Sequence, residues 1–238
     1  MNAGILIVCS FVAALISGAA GFGGSLLLLP AATALLGAEL AVPVMTIAQL
    51  IGNASRMAFG FRQIEWKSVG WFCLTALPLA ALGAFGFTLL PKGIVTRCIG
   101  AALLALAVLQ LTGKLSLHGG KRTLLLGGAA TGFLSGLCGS GGPIGAAVFL
   151  TLGLPPVAYI ASEAATATAM HVLKTAIYGK LIGLTPSALL TGLAMGAAMA
   201  LGAWVANRFI RRAEKGKYRA YVGALLCVVG AYMLLFGA

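Results

Sequence analysis

Charged residues are scarce in this sequence. They make up 8% of its 238 positions, and four of them are acidic. Soluble domains usually carry about 25% charged and about 45–50% apolar residues. Here the hydrophobic share is 61%. This composition excludes an ordinary soluble domain and predicts a protein whose surrounding solvent is lipid.

The sequence also lacks the residue clusters on which enzymes and metal sites depend. It contains no Cys-x-x-Cys pair, no HExxH motif, no nucleophile elbow and no paired carboxylates. The cysteines all stand in or beside apolar stretches: Cys9, Cys73, Cys98, Cys138 and Cys227. The acidic residues are scattered: Glu39, Glu65, Glu163 and Glu214. A metal site needs clustered ligands. We therefore expect no enzyme activity, no metal and no cofactor.

Long apolar stretches fill most of the chain. A helix needs about 20 apolar residues to cross a bilayer. The stretches that approach or exceed this length are residues 3–20, 42–61, 69–90, 94–111, 157–178, 187–209 and 221–236. The polar connections are too short to form a separate soluble domain. We predict an all-α, polytopic transmembrane helical bundle in the cell inner membrane.

A net charge of +12 accompanies these apolar stretches. In a soluble protein such an excess suggests nucleic acid as a partner. Here the basic residues flank membrane spans, where they set the topology and meet anionic lipid headgroups. We therefore expect membrane lipid, and not nucleic acid, as a partner.

A glycine-rich motif occurs twice. Residues 17–24 read SGAAGFGG and residues 135–142 read SGLCGSGG, which is an offset of 118 positions. The same offset relates Arg56 to Lys174. We predict a duplication with residues 1–116 as the first transmembrane repeat and residues 117–238 as the second. Chance similarity among apolar residues is the alternative.

The distribution of basic residues predicts that the two repeats are inverted. We expect each motif to join two half-depth helices that enter and leave by one face, followed by three full spans. Most basic residues then gather on one face, which the positive-inside rule identifies as cytoplasmic. They are Arg62, Lys67, Lys114, Lys121, Arg122, Arg208, Arg211, Arg212, Lys215, Lys217 and Arg219. The opposite face holds both termini with Lys92, Arg97 and Lys180. Parallel repeats would place the two main basic loops on opposite faces.

Each glycine motif interrupts an apolar stretch and predicts a helix that begins inside the membrane. Glycine allows a sharp turn and lets backbone approach a ligand. Pro143 suits the first turn of such a helix, and Ser25 can cap the other one. The free N–H groups and the positive dipole end of a helix attract anions. Close helix packing is the alternative role of these glycines. The candidate binding residues are Gly21, Gly23, Gly24, Ser25, Gly139, Ser140, Gly141 and Gly142.

Polar residues follow one helical face in the second span of each predicted repeat. Charges in a membrane need partners or water, so these side chains are candidates for a substrate site. The binding candidates are Gln49, Asn53, Arg56, His171 and Lys174, and the candidates for proton coupling are Glu163 and His171. Alternatively, Arg56 and Lys174 extend to the membrane interface. A structural pairing of Glu163 with Lys174 or a helix N-terminus is also open.

The paired motifs Ser17–Gly24 and Ser135–Gly142, each followed by an apolar run and a polar second span, resemble the sulfite exporter TauE/SafE family. The resemblance covers essentially the whole chain. It implies a bacterial or archaeal permease that moves sulfite, sulfonates or related sulfur-containing anions, usually outward. Ser25 stands where the second motif has Pro143, so the two halves need not bind equivalently.

We therefore expect a secondary transporter, by this resemblance an exporter of small sulfur-containing oxyanions. Alternating access around a midplane site is the expected mechanism. An anion channel, or a permease for another small organic anion, is the alternative. A second copy of the chain, giving a homodimer, is kept as a candidate partner.

Overall fold

The computed structural model describes residues 2–20, 24–89 and 119–210. Over these ranges the chain forms helices and no strand, which confirms the all-α prediction there. The helices are α1 (Asn2–Ala20), α2 (Gly24–Phe59), α3 (Trp66–Leu89), α4 (Lys121–Cys138), α5 (Gly142–Leu150), α6 (Pro156–Leu181) and α7 (Pro186–Ile210). A short 3-10 helix at Phe61–Gln63 precedes α3.

Five of the predicted apolar stretches coincide with these helices. They fall on α1, the second part of α2, α3, α6 and α7. Two helices, α3 and α7, are long and apolar enough to cross a membrane. The predicted spans 94–111 and 221–236 lie outside the described residues, as do the basic residues predicted at 92–114 and 211–219.

Helix α2 consists of two helical parts that meet at Gly37. The backbone there has φ 76° and ψ 157°, in the region where a Cβ would be strained. A short part, residues 24–36, is thereby separated from a longer part, residues 38–59. The first part begins at the first glycine motif, as α5 begins at the second. The longer part corresponds to α6.

Helices α4 and α5 fold back on each other across the second glycine motif. Gly139 caps α4 in the left-handed conformation, with φ 69°, and Pro143 lies in the first turn of α5. At the other end, a Cβ on Gly119 would lie 2.9 Å from the carbonyl oxygen of Thr151. The pair therefore enters and leaves on one side of the molecule.

The two members of this pair are unequal, which differs from the predicted pair of half-depth helices. Helix α4 has 18 residues and α5 has 9. At 1.5 Å per residue, α4 extends for about 27 Å, close to the thickness of a bilayer core. The motif lies at the end of a long apolar run and not at its middle, so only α5 is short.

Helices α3 and α4 pack in parallel through small residues. Gly128, Gly132 and Gly136 recur every fourth position on α4 and contact successive turns of the α3 backbone. Small residues allow helices in membranes to approach this closely. Helices α1 and α7 also pack in parallel, through Gly18 and Gly202. These are the two most extensive helix contacts in the described part of the chain.

Several helix ends gather on one side of the molecule. The Glu65 amide donates a hydrogen bond to Ser162 Oγ at 2.9 Å, which brings the start of α3 beside the start of α6. The Lys121 ammonium lies 3.8 Å from the Trp71 ring centroid, so α4 starts there too. The end of α7 joins them through Ile210. The described basic residues at these ends are Arg62, Lys67, Lys121, Arg122 and Arg208. Lys180 is at the far end of α6.

Candidate functional site

The two glycine motifs meet inside the helical bundle. Ser25, in the first turn of α2, donates a hydrogen bond from its hydroxyl to the hydroxyl of Ser140. The first residues of α2 and of α5 then line one cavity with a volume of about 30 Å³. Both helices present their N-terminal residues to it. Helix N-termini carry free N–H groups and a positive partial charge.

Arg56 is held in place at the edge of this cavity. Its Nη1 donates to the carbonyl oxygen of Ser17 at 3.0 Å, and its Nη2 donates to Asn53 Oδ1. Asn53 Nδ2 in turn donates to the carbonyl oxygen of Gln49 at 2.7 Å. The side chain of Arg56 is 8% exposed, and the residue lines the cavity. Its guanidinium therefore lies within the bundle.

Glu163 brings a carboxyl group to the same cavity. Its Oε2 lies 3.9 Å from Arg56 Nη2 and has no hydrogen-bond partner in the part of the chain that the structure describes. The side chain is buried. A buried carboxylate without a partner is costly, so Arg56 is its stabilising neighbour.

Three other polar atoms around the cavity are buried and unpaired within the described residues. They are Gln49 Nε2, Thr131 Oγ1 and His171 Nδ1. Buried polar groups in proteins are normally hydrogen-bonded. An amide nitrogen and a hydroxyl are hydrogen-bond donors, and either imidazole nitrogen can donate when protonated. The cavity is therefore lined by polar groups that a small ligand can satisfy.

Lys174 takes a different role from Arg56. Its Nζ donates to the carbonyl oxygen of Ser135 at 3.0 Å and to Ser135 Oγ at 2.8 Å. The Tyr178 hydroxyl donates to the carbonyl oxygen of Gly136 at 2.7 Å. Both carbonyls belong to the last turn of α4, where donors and cations stabilise a helix C-terminus. Lys174 is fully buried and is not among the residues that line the cavity.

The two cations nevertheless occupy matching places. Arg56 binds the carbonyl of Ser17, and Lys174 binds the carbonyl of Ser135, each 39 positions earlier in the chain. Ser17 and Ser135 are the first residues of the two glycine motifs. Each motif is thus tied to a cation from a long helix further along the chain, the second part of α2 for Arg56 and α6 for Lys174.

The structure brings most of the sequence-predicted site residues to the cavity. Those that line it are Gly24, Ser25, Gln49, Asn53, Arg56, Gly139, Gly141, Gly142, Glu163 and His171. Ser140 does not line it but bonds to Ser25, which does. Gly21 and Gly23 lie outside the described residues.

Sequence reasoning missed several lining residues that helical spacing would have found. They are Thr131, Ser135, Gly145, Thr166, Ala167 and Met170. Ser135 opens the second motif, and Thr131 precedes it by one helical turn. Thr166 and Met170 follow Glu163 by three and seven positions, which places them on the same helical face.

Apolar helices, two of them long enough to cross a membrane, and a polar cavity at paired helix N-termini are typical of helical membrane transporters. The family model described as "Sulfite exporter TauE/SafE" matches residues 6–233. The chain belongs to this family of membrane transporters, which confirms the resemblance seen in the sequence. Searches of curated proteins and of solved structures gave no match.

Proposed function

We propose that the chain is a secondary transporter of the cell inner membrane that exports a small sulfur-containing oxyanion such as sulfite. The cavity between the two glycine motifs is its binding site. One observation carries this proposal: Arg56, Gln49 and Thr131 line a cavity where two helix N-termini meet, and among the described residues the donors of Gln49 and Thr131 are unpaired.

The chemistry of the cavity fits an oxyanion. A guanidinium presents N–H groups in a planar fork that matches two oxygens of one anion. The helix N-termini at Gly24 and Gly142 add positive partial charge. The Gln49 amide and the Thr131 hydroxyl can each donate to a further oxygen. An oxyanion with three oxygens would use all of these groups.

The size of the cavity favours a compact anion. One water molecule needs about 10–15 Å³ of cavity volume, so a cavity of about 30 Å³ holds about two waters. Sulfite has one sulfur and three oxygens. Taurine and sulfoacetate add a carbon chain and a second polar group, which need more room. We therefore rank sulfite above the longer organosulfonates.

Inverted repeats at residues 1–116 and 117–238 are part of the proposal. Helix α1 lies parallel to α7 and so begins at the end of the molecule where Lys180 lies, whereas α4 begins beside Trp71 at the opposite end. One hairpin consists of α1 and the first part of α2, and the other consists of α4 and α5. The two hairpins therefore enter from opposite sides. The matching bonds from Arg56 and Lys174 support the same relationship.

The basic residues support an orientation for this arrangement. Short loops rich in Lys and Arg stay in the cytoplasm. The end that gathers Arg62, Lys67, Lys121, Arg122 and Arg208 is then cytoplasmic, and Lys180 is outside. The hairpin that contains α5 then enters and leaves on the cytoplasmic side. The hairpin that contains the first part of α2 enters and leaves on the outer side. Two such hairpins around one site suit alternating access.

Flux measurements on purified protein in liposomes test the function. We expect saturable movement of radiolabelled sulfite that is accelerated by unlabelled sulfite on the opposite side. Protein-free liposomes and the Arg56→Ala variant are the controls. Sulfate, taurine, sulfoacetate and acetate as competitors rank the substrates. Non-saturable sulfite flux without acceleration from the opposite side would identify an anion channel. The absence of any sulfite flux would overturn the proposed substrate.

A further inference from the structure

Glu163 places a negative charge in a cavity to which the proposed function assigns an anion. Its Oε2 lies 3.9 Å from Arg56 Nη2, and both side chains are buried. Arg56 is also the cation that we assign to the substrate. A carboxylate and a bound oxyanion would therefore share one guanidinium within a cavity of about 30 Å³.

We propose that Glu163 holds Arg56 in the empty transporter and takes up a proton when the anion binds, so that one proton crosses with each anion. This inference rests on the proposed function. Two negative charges at such close range repel strongly where little water screens them. The protonation of Glu163 removes one of these charges and leaves the guanidinium to the substrate.

The groups around Glu163 favour this carboxyl as the proton acceptor. Helix α2 contributes the cation Arg56, and α6 itself contributes His171, which lines the same cavity and has Lys174 within electrostatic range. The residues of α4 and α5 that line the cavity are hydroxyl residues and glycines. On the side of α3, Glu65 and Lys67 are exposed.

His171 is a poorer acceptor than Glu163 for a simple reason of charge. It stands within electrostatic range of both Arg56 and Lys174. A proton on His171 would add a positive charge to a group of cations, whereas a proton on Glu163 removes the negative charge that competes with the anion. Lys174 is occupied by the carbonyl and hydroxyl of Ser135.

The transport step balances without any other reactant. A proton from water converts the Glu163 carboxylate to the acid as the anion binds Arg56. After the site opens to the other side, the anion leaves and the acid returns its proton to water. The contact between Glu163 and Arg56 then forms again. Anion and proton therefore move in the same direction.

Calorimetric titration of sulfite into the purified protein tests this coupling. Titrations in buffers of different ionisation enthalpy count the protons taken up on binding. We expect the wild type to take up about one proton more per sulfite than Glu163→Gln does. Sulfite itself takes up a proton near neutral pH, but this contribution is the same in both proteins at one pH. The matched control is Glu65→Gln, an exposed carboxyl next to α3, which should behave as the wild type.

The affinity measured at several pH values gives a second readout. We expect wild-type affinity to fall more steeply as the pH rises than that of Glu163→Gln, by up to about tenfold per pH unit. Glu163→Asp keeps a carboxyl and should keep the extra proton, which guards against a variant that fails to fold. Equal proton uptake in the wild type and Glu163→Gln would overturn the proton coupling but not the proposed substrate. Loss of the extra proton in a folded Glu163→Asp would have the same consequence. Failure of the wild type to bind sulfite overturns the proposed substrate and this inference with it.

Discussion

The hydroxyl of Ser25 lies 3.3 Å from the hydroxyl of Ser140, and this hydrogen bond joins the start of α2 to the second glycine motif. The two residues are 115 positions apart in the chain. They lie beside the cavity, so the contact between the two hairpins and the candidate binding site are parts of one feature. When the cavity opens to one side or to the other, the surroundings of this contact must therefore change.

A covalent bond at this contact should stop transport. In a background in which the native cysteines are replaced by serine, Ser25→Cys with Ser140→Cys should form a disulfide under mild oxidation. Sulfite flux should then fall to the level of protein-free liposomes and return on reduction. Each single cysteine variant is the control. Full flux through the cross-linked protein would show that the two hairpins need not separate.

Valine at Gly24 should abolish anion binding while the protein still inserts into the membrane. A Cβ there would lie 3.1 Å from Gln49 Nε2 and 3.2 Å from Ser17 Oγ, so the larger side chain enters the cavity. Gly142→Val is expected to act in the same way at the second helix N-terminus. Gly70→Val is the matched control, because a Cβ at Gly70 meets no atom within 4 Å. Titration calorimetry measures the effect, and normal affinity in Gly24→Val would support a packing role for this glycine.

Arg56→Lys should weaken sulfite binding although the charge is kept. Lysine offers a point charge and cannot present two N–H groups in a planar fork. The loss of one charge-assisted contact is worth about 1.5–3 kcal/mol, which is roughly a tenfold to hundredfold lower affinity. Calorimetry on the two proteins measures it. Unchanged affinity would show that Arg56 is not part of the binding site.

Lys174→Gln should lower stability more than affinity. Lys174 supports the end of α4 through Ser135 and does not line the cavity. The loss of its charged hydrogen bonds should cost about 1–3 kcal/mol of stability. Thermal unfolding in detergent and sulfite titration separate the two effects. A large loss of affinity at normal thermal stability would instead place Lys174 in the anion path.

Single cysteines should report the orientation of the chain. We expect cysteines at Lys121 and Arg208 to react with an impermeant reagent only from the cytoplasmic side, and a cysteine at Lys180 only from the outside. All three positions are exposed. The serine-substituted background without native cysteines is the control. Opposite accessibility of Lys121 and Arg208 contradicts the inverted arrangement and favours parallel repeats.

Much of the site was predictable because its residues follow helical spacing or stand in the repeated motif. Gln49, Asn53 and Arg56 were placed on one face by their spacing, and all three line the cavity. The equivalence of Arg56 and Lys174 was also visible in the sequence. Their different roles were not, because spacing cannot show whether a side chain points at a cavity or at a helix end.

The lengths and breaks of the helices were harder to predict. The sequence predicted a half-depth helix after the first glycine motif but not the residue at which it ends, which is Gly37, two positions before Glu39. Similarly, a glycine motif indicates a turn but not how far the preceding helix extends, which is why α4 is longer than expected. The bond between Ser25 and Ser140 depends on tertiary packing and has no local signal.

The glycine-lined contacts join α1 to α7 and α3 to α4, so among the described helices each of these has its most extensive contact with a helix of the other half of the chain. Synthesis proceeds from the N-terminus, and α1 and α3 therefore enter the bilayer before α7 and α4 exist. Until then, lipid covers the helix faces whose small residues later allow close contact with a partner helix. Assembly is complete only when the second half has been inserted. Two halves produced as separate polypeptides would each lack these partners and would become stable by associating in the membrane.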